Sequence, residues 1–276
     1  MTLDPSWSRP RAYPIDESGR IATHSLEVHV TDHCNLRCAG CCVLSPLATR
    51  RFLDVTELAR DLANARRVIR PTVLKLTGGE PLLAQNIVEI ARVAKDSGIA
   101  PRLSLTTNGV LLGRAPDALF ELLDAITVSI YPDGGIDEPA LEALRVRASR
   151  FGVALNEKRQ NELQSMTRAR PAEDREVVRA TFQGCWLRHR CHLLRDGVFF
   201  ACSRPPGLDA LADSGGAMLA RDGLSLEPRA TLASELKAYL EREEPLASCT
   251  RCLGGTGALV PFRQLTRAEV RERRPE

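Results

Sequence analysis

From Leu26 onward the apolar residues fall into short β-prone runs separated by helix-length amphipathic stretches. Strands are expected over 26–30, 72–76, 102–106, 125–130 and 151–155, and helices over 54–69, 84–97, 116–124 and 138–150. Strands alternating with helices read as βαβ units around a parallel sheet, an α/β fold. Asp54 suits the N-cap of the first helix, with Glu57 three residues on, and Gly98 suits the C-cap of the second. Residues 1–25 carry no period and read as an arm. The stretch 160–180 is polar and Arg-rich, consistent with a last helix and a linker that close the first domain at 180. Between Cys191 and Cys202 the run HLLRDGVFFA holds two β-prone pieces about Asp196-Gly197, a hairpin signal, and a helix follows over 232–242. The second domain is bounded at 181–255, and 256–276 form a tail that starts Gly-rich and ends charged.

Cys34, Cys38 and Cys41 lie in one loop, VTDHCNLRCAGCCVL, straight after the first strand. A four-iron cluster needs one thiolate per iron, and a structural zinc needs four N or S ligands. Three thiolates at tight spacing leave one position open, and an open iron can bind a small molecule. Cys42 is a poor fourth ligand, because consecutive residues of an extended loop point opposite ways. A second group follows in Cys185, Cys191, Cys202, Cys249 and Cys252, the last two as a CxxC. With Asp196 and Gly197 as the turn, Cys191 and Cys202 fall opposite each other, and cross-strand Cβ atoms lie about 5 Å apart. A zinc knuckle or ribbon is the competing use of either group.

Composition narrows the classes. The chain has 276 residues, 43% of them hydrophobic and 26% charged, enough for one large domain and a small one. A net charge of +3 is too small and dispersed to argue for nucleic acid or an anionic membrane. Neither a signal peptide nor an apolar span is visible, so a cytoplasmic protein is expected, in which nine Cys serve as ligands and free thiols rather than disulfides.

The CxxxCxxC loop after an apolar strand resembles the signature of the radical S-adenosylmethionine (SAM) enzymes. The resemblance implies a partial (β/α) TIM-like barrel in which Cys34, Cys38 and Cys41 ligate a 4Fe–4S cluster and SAM chelates the fourth iron. One electron would then cleave SAM to a 5′-deoxyadenosyl radical that abstracts a hydrogen atom. A one-electron reductant such as a flavodoxin or ferredoxin is the implied partner. The strand ends carry further likenesses. Thr77-Gly78-Gly79-Glu80-Pro81 is similar to the family's GGEP motif, which implies that Gly78, Gly79 and Glu80 contact the SAM amino group. The glycines would let backbone approach the ligand closely. Thr107-Asn108-Gly109 and Ser129-Ile130-Tyr131 resemble the strand ends that hold the ribose and carboxylate of SAM, which gives Asn108 and Ser129. Lys158, Arg159 and Tyr131 are the candidates for catalysis, the first two in the stretch after the strand at 151–155. The residue before the third Cys is usually aromatic in the family and lies near adenine, whereas Gly40 stands here.

A Cys, a hairpin with Gly five residues before the next Cys, a helix and a CxxC resemble the twitch domain, a short form of the SPASM extension. This implies a small β-hairpin/helix domain with an auxiliary 4Fe–4S cluster on Cys202, Cys249 and Cys252. Family spacing gives Cys185 as the fourth ligand; the hairpin geometry gives Cys191. A fully ligated cluster suits electron transfer. Short family members of this layout dehydrogenate small aminocyclitols, so the expected function is oxidation of a small sugar or aminocyclitol alcohol in natural-product biosynthesis. Peptide modification, and a redox-neutral dehydratase or epimerase, are the alternatives. A plain iron–sulfur electron carrier would need neither the GGEP turn nor an open iron.

Overall fold

The computed structural model describes residues 13–273. The first twelve residues of the expected arm and the last three of the tail lie outside the described residues. Ten strands and nine α-helices follow one another among the described residues, alternating strictly from β1 to β5: β1 (Ile21–Thr31), α1 (Val55–Arg66), β2 (Ile69–Gly78), α2 (Ile87–Asp96), β3 (Leu103–Thr107), α3 (Asp117–Leu122), β4 (Ala125–Ile130), α4 (Glu138–Arg150), β5 (Ala154–Arg159), β6 (Glu162–Gln164), α5 (Arg175–Gln183), β7 (His192–Arg195), β8 (Val198–Phe200), α6 (Pro205–Ala212), α7 (Ala217–Asp222), β9 (Leu224–Ser225), α8 (Leu232–Leu240), β10 (Leu259–Pro261) and α9 (Arg267–Arg273). The main sheet runs β5-β4-β3-β2-β1-β7-β8-β9, parallel from β5 to β7 and antiparallel thereafter, and β6 pairs with β10 separately. This is the expected α/β architecture with a parallel-sheet core.

Local chemistry sets the helix starts. The Asp54 carboxylate accepts from Glu57 N at 2.9 Å, Asp137 accepts from Ala140 N, and Asp174 accepts from Glu176 N and Val177 N. Gly98 follows α2 at φ +57, a left-handed stop that only Gly enters without strain. One face of the sheet packs on helices: Leu26, Val28, Leu74, Leu76, Leu105, Ile126 and Val128 meet Leu58 and Leu62 of α1, Ile90 of α2, Phe120 of α3 and Leu141 of α4 in one core. Each such side chain contributes about 1.5–3 kcal/mol, and Leu62→Ala would cost about 2–5 kcal/mol.

The alternate residues look the other way. Ser25, Glu27 and His29 of β1, Lys75 and Thr77 of β2, Ser104 of β3, Thr127 and Ser129 of β4, and Asn156 and Lys158 of β5 form a polar second face, because successive strand residues point to opposite sides.

Some expectations change. The first strand, expected over 26–30, already starts at Ile21, inside the stretch expected as an arm. The strand expected over 151–155 runs from Ala154 to Arg159, so Asn156 to Arg159 belong to β5 itself rather than to a following turn. Gly152 with φ +67 delays the strand start. The hairpin at Asp196-Gly197 forms in the expected register, with Arg195 opposite Val198, yet it is not set apart from the barrel: Leu26, Glu27 and Val28 pair with His192, Leu193 and Leu194. Sheet hydrogen bonds thus cross the boundary expected at 180/181. The tail is folded over the mouth, as β10 against β6 and then Arg263 to Leu265 against the Cys loop.

Candidate active site and a second thiol group

The loop of Cys34, Cys38 and Cys41 leaves β1 at its carboxyl end and is laced to the Gly78-Gly79 turn at the same end of β2. Gly79 N donates to Thr31 O at 2.8 Å, Glu80 N to His33 O at 3.0 Å, and Thr31 Oγ1 to both His33 O and Glu80 O. A Cβ on Gly79 would stand 1.9 Å from His33 O, and one on Gly78, at φ +120, 2.2 Å from Thr31 O. These glycines therefore serve backbone packed on backbone, not only the ligand approach read from the sequence.

Glu80 is fully buried. Its carboxylate accepts from Leu82 N at 3.0 Å, Thr107 Oγ1 at 2.8 Å and Asn108 N at 2.8 Å. Three of about four acceptor positions are thus used within the protein, leaving one on Oε2. Burial raises its pKa, against those three hydrogen bonds. Asn108 in turn donates from Nδ2 to Asn35 Oδ1 at 2.7 Å and toward Cys34 Sγ at 3.6 Å. Leu36 N also points at Cys34 Sγ, at 3.4 Å. The three motifs read from the sequence, the Cys loop, GGEP and TNG, are one hydrogen-bonded body.

Ser129 lies opposite Lys158 in the β4–β5 register. Tyr131, just beyond, is hydrogen-bonded to Ser129, and its phenol is raised by burial and then by the neighbouring Cys38, Cys41 and Cys42. Its ring stacks on Phe262 of the tail at 4.8 Å. Lys158 belongs to the polar face and neighbours Cys42. Arg159 is on the opposite face, where Nη2 meets Glu138 of α4 at 3.4 Å; period-two alternation removes it from the site. Gly40 fits no aromatic in its place, because a Cβ there would stand 2.9 Å from the Leu163 Cβ.

Cys34 is pushed up to about 11 and Cys38 to about 12, first by burial and also by the other thiolates of the loop. Thiols so crowded ionise together only where a cation takes up their charge, and iron does so. The loop thus fits a cluster held by Cys34, Cys38 and Cys41.

Cys185, Cys202, Cys249 and Cys252 line one cavity together with Arg204 and Gly254. Burial raises Cys185, Cys202 and Cys249, and each is raised further by others of the four. Asp222 accepts from Ala247 N and Ser248 N and so fixes the turn that carries Cys249. Gly254, at φ +55, would bring a Cβ to 3.0 Å from Cys185 Sγ. Cys191 packs beside Cys202 against Met166, Cys185 and Leu187, but it does not line this cavity. The ladder ends at Leu193 and Phe200, and the next step is made by the His192 side chain, whose Nδ1 donates to the Ala201 carbonyl at 3.0 Å. The charges acting on Cys191 come from Glu27, Lys75 and Cys42, on the polar face. Among the described residues no three His, Cys, Asp or Glu side chains are arranged to hold a single metal ion. A four-iron cluster asks for a wider array, with one thiolate for each iron.

Sequence reasoning passed over Asp32 and Arg195, which form a two-pronged pair at 2.7 and 2.9 Å between the root of the Cys loop and the hairpin. It also passed over the Glu27–Lys75 pair on the polar face, at 3.5 Å. The signal was available in charged residues inside otherwise apolar strands.

Residues 28–156 match the radical SAM superfamily. The match contains the Cys loop, the GGEP turn and the polar strand ends, and the chain therefore carries a radical SAM domain. The GTP 3′,8-cyclase of Mycobacterium marinum is 42% identical over 120 residues, 42% of this chain and 33% of that protein. GTP 3′,8-cyclase 2 of Mycobacterium tuberculosis is 40% identical over 130 residues, 44% of this chain and 36% of that protein. The match spans about a third of the length of these curated relatives. Among solved structures, BtrN in complex with AdoMet and 2-DOIA superposes with a TM-score of 0.53 at 13% identity, covering 85% of this chain and 94% of that one. That likeness is one of fold. No helix among the described residues is long and apolar enough to cross a membrane.

Proposed function

We propose that this protein is a radical SAM oxidoreductase that dehydrogenates a small sugar or aminocyclitol-type alcohol. The observation that carries the reading is the second thiol group: four Cys around one cavity, with as many thiolates as a four-iron cluster has irons. A cluster so ligated has no iron left for substrate and serves to take an electron. Cys185 is the fourth ligand in this reading, and Cys191 is not a ligand. The wider layout, a hairpin, a helix and a CxxC turn following the parallel core, supports the same assignment.

The bound SAM and the cluster on Cys34, Cys38 and Cys41 would supply a 5′-deoxyadenosyl radical that takes a hydrogen atom from a carbinol carbon. The protein's own residues orient and protect. Glu80 has one acceptor position left for the SAM ammonium. Asn108 and Ser129, at neighbouring strand ends, are available to SAM's polar groups. The Tyr131–Phe262 stack covers the mouth from the tail side. Lys158, with Glu27 and Lys75 further down the polar face, offers the charged groups that grip hydroxyl or ammonium substituents of the substrate.

A second reading, cyclisation of a guanine nucleotide, is favoured by the 42% identity to the cyclases, which covers 42% of this chain. The two are separated by incubating anaerobically reconstituted protein with SAM and reductant against sugar alcohols, aminocyclitols and GTP. Release of 5′-deoxyadenosine with an alcohol and formation of its ketone is expected. Turnover of GTP alone would overturn the reading.

A further inference from the structure

Arg204 is only 1% exposed and is among the largest fully buried side chains. It follows Cys202 by two residues and stands just before α6, where Pro205 begins the helix. All five guanidinium N–H groups find acceptors. Nε donates to Cys252 Sγ at 3.1 Å, Nη1 to the Cys42 carbonyl and toward Met166 Sδ at 3.5 Å, and Nη2 to Met166 O at 3.2 Å and Thr167 Oγ1 at 2.9 Å. A guanidinium stays charged in a protein, and a buried charge is costly unless an opposite charge faces it. No Asp or Glu among the described residues lies within ion-pair distance of Arg204. Of its five partners four are neutral oxygens or a thioether. The remaining one, Cys252 Sγ, belongs to the four sulfurs around the cavity, which would carry negative charge as iron ligands, and it also accepts from Gly254 N at 3.2 Å.

We propose that Arg204 is the built-in counter-ion of the second thiol group and holds the potential of a cluster bound there high enough to accept the substrate electron. This rests on the reading of Cys185, Cys202, Cys249 and Cys252 as cluster ligands. A fixed positive charge and a hydrogen bond to a ligand sulfur both favour the reduced, more negative state of a cluster, so they raise its reduction potential. The same side chain grips the carbonyl of Cys42, next to Cys41, so it also fixes the wall between the two thiol groups. Gly207, one turn into α6, packs the same way: a Cβ there would stand 2.5 Å from Val43 O. Arg204 is thus a positioning and tuning residue, and it touches neither SAM nor substrate in this role.

The test is a redox titration followed by electron paramagnetic resonance on the whole protein, reconstituted without oxygen, with iron and sulfide counted. Arg204→Gln should keep iron for two clusters and shift the second cluster's midpoint to lower potential, while the first is unmoved. Arg204→Lys, which keeps the charge but not the planar fork, should fall between. Should Arg204→Gln fail to fold, Thr167→Val, which removes one anchor of the guanidinium, should give a smaller shift of the same sign. Two clusters with an unmoved second midpoint in the Arg204 variants, or in Thr167→Val if those fail, would overturn the role of Arg204 alone. A wild-type protein with one cluster, or with zinc at the second group, would overturn both this role and the reading beneath it.

Discussion

The two thiol groups are built by opposite means. The first comes from eight consecutive residues, Cys34 to Cys41, on a loop stitched by backbone hydrogen bonds to the turn after β2 and by the Asn108 side chain to the turn after β3. The second is gathered from the end of α5, the end of a hairpin and a turn beyond α8, and is held by side chains: Asp222 under Cys249, Arg204 on Cys252. The first site is therefore local in sequence and stiff by backbone, and the second is distant in sequence and depends on a few buried polar groups. Loss of one such group leaves a buried partner unsatisfied, at about 1–3 kcal/mol. The second region should give way first.

The largest effect is expected where the comparison is bluntest. Replacing Cys34, Cys38 and Cys41 together by Ala should abolish SAM cleavage while iron for about one cluster remains. Iron falling to none would mean that the second group does not assemble independently. Replacing Cys249 and Cys252 by Ala should leave part of the SAM cleavage and remove the oxidised product; ketone at the wild-type yield in that variant would end the electron-acceptor role.

Acid offers a finer comparison, because each region rests on a buried neutral His. His29, beneath the first loop, and His192, in the hairpin, are both lowered from 6.5 to about 4, chiefly by burial. The unfolded chain takes up these protons first, so each His contributes stability that is complete above about pH 6.5 and drains away as the pH falls toward about 4. The ceiling is about 3 kcal/mol each. Hydrogen exchange between pH 7 and 4.5 should show the hairpin and CxxC turn opening before strands β1 to β5. His29→Gln should flatten the acid slope in the core; an unchanged slope there would remove His29 from the account.

The smallest effect concerns Glu80. Glu80→Gln keeps the shape and loses the charge, and SAM binding should weaken by about 1.5–3 kcal/mol. If calorimetry with SAM finds wild-type affinity, the carboxylate serves only Leu82, Thr107 and Asn108.

What could be read in advance follows the same division. The Cys triplet, GGEP, Asn108 and Ser129 stand at strand ends; alternation of strand and helix is a local signal, so periodicity predicted the strands, and the resemblance to the family pointed to the residues at their ends. Asp54 and Gly98 acted as the cap and stop that their chemistry implies. Period-two reading went astray at β5: a start three residues too early turned Lys158 and Arg159 into loop residues, although the strand sends one to the polar face and the other to α4. That Cys185 rather than Cys191 lines the cavity with Cys202, Cys249 and Cys252 was not legible, because local spacing does not show where the hairpin ladder ends and a His side chain takes over the next step. Arg204 and Asp32 were invisible for the same reason that they matter, since their partners are 48 and 163 residues away.

The folded-back tail sets a timetable for assembly. Leu265 N donates to Arg37 O at 2.7 Å, Arg37 Nε donates to Leu265 O at 2.9 Å, and Ala39 N donates to Arg263 O, so the flank of the first Cys loop is sealed by residues more than two hundred positions later. During synthesis on the ribosome the triplet emerges early and stays open on that side until this segment arrives. The second group lacks such an interval, because Cys249 and Cys252 emerge only shortly before the seal does. Any iron supplied during synthesis would therefore meet the first thiol group as an accessible loop and the second as a nearly finished fold.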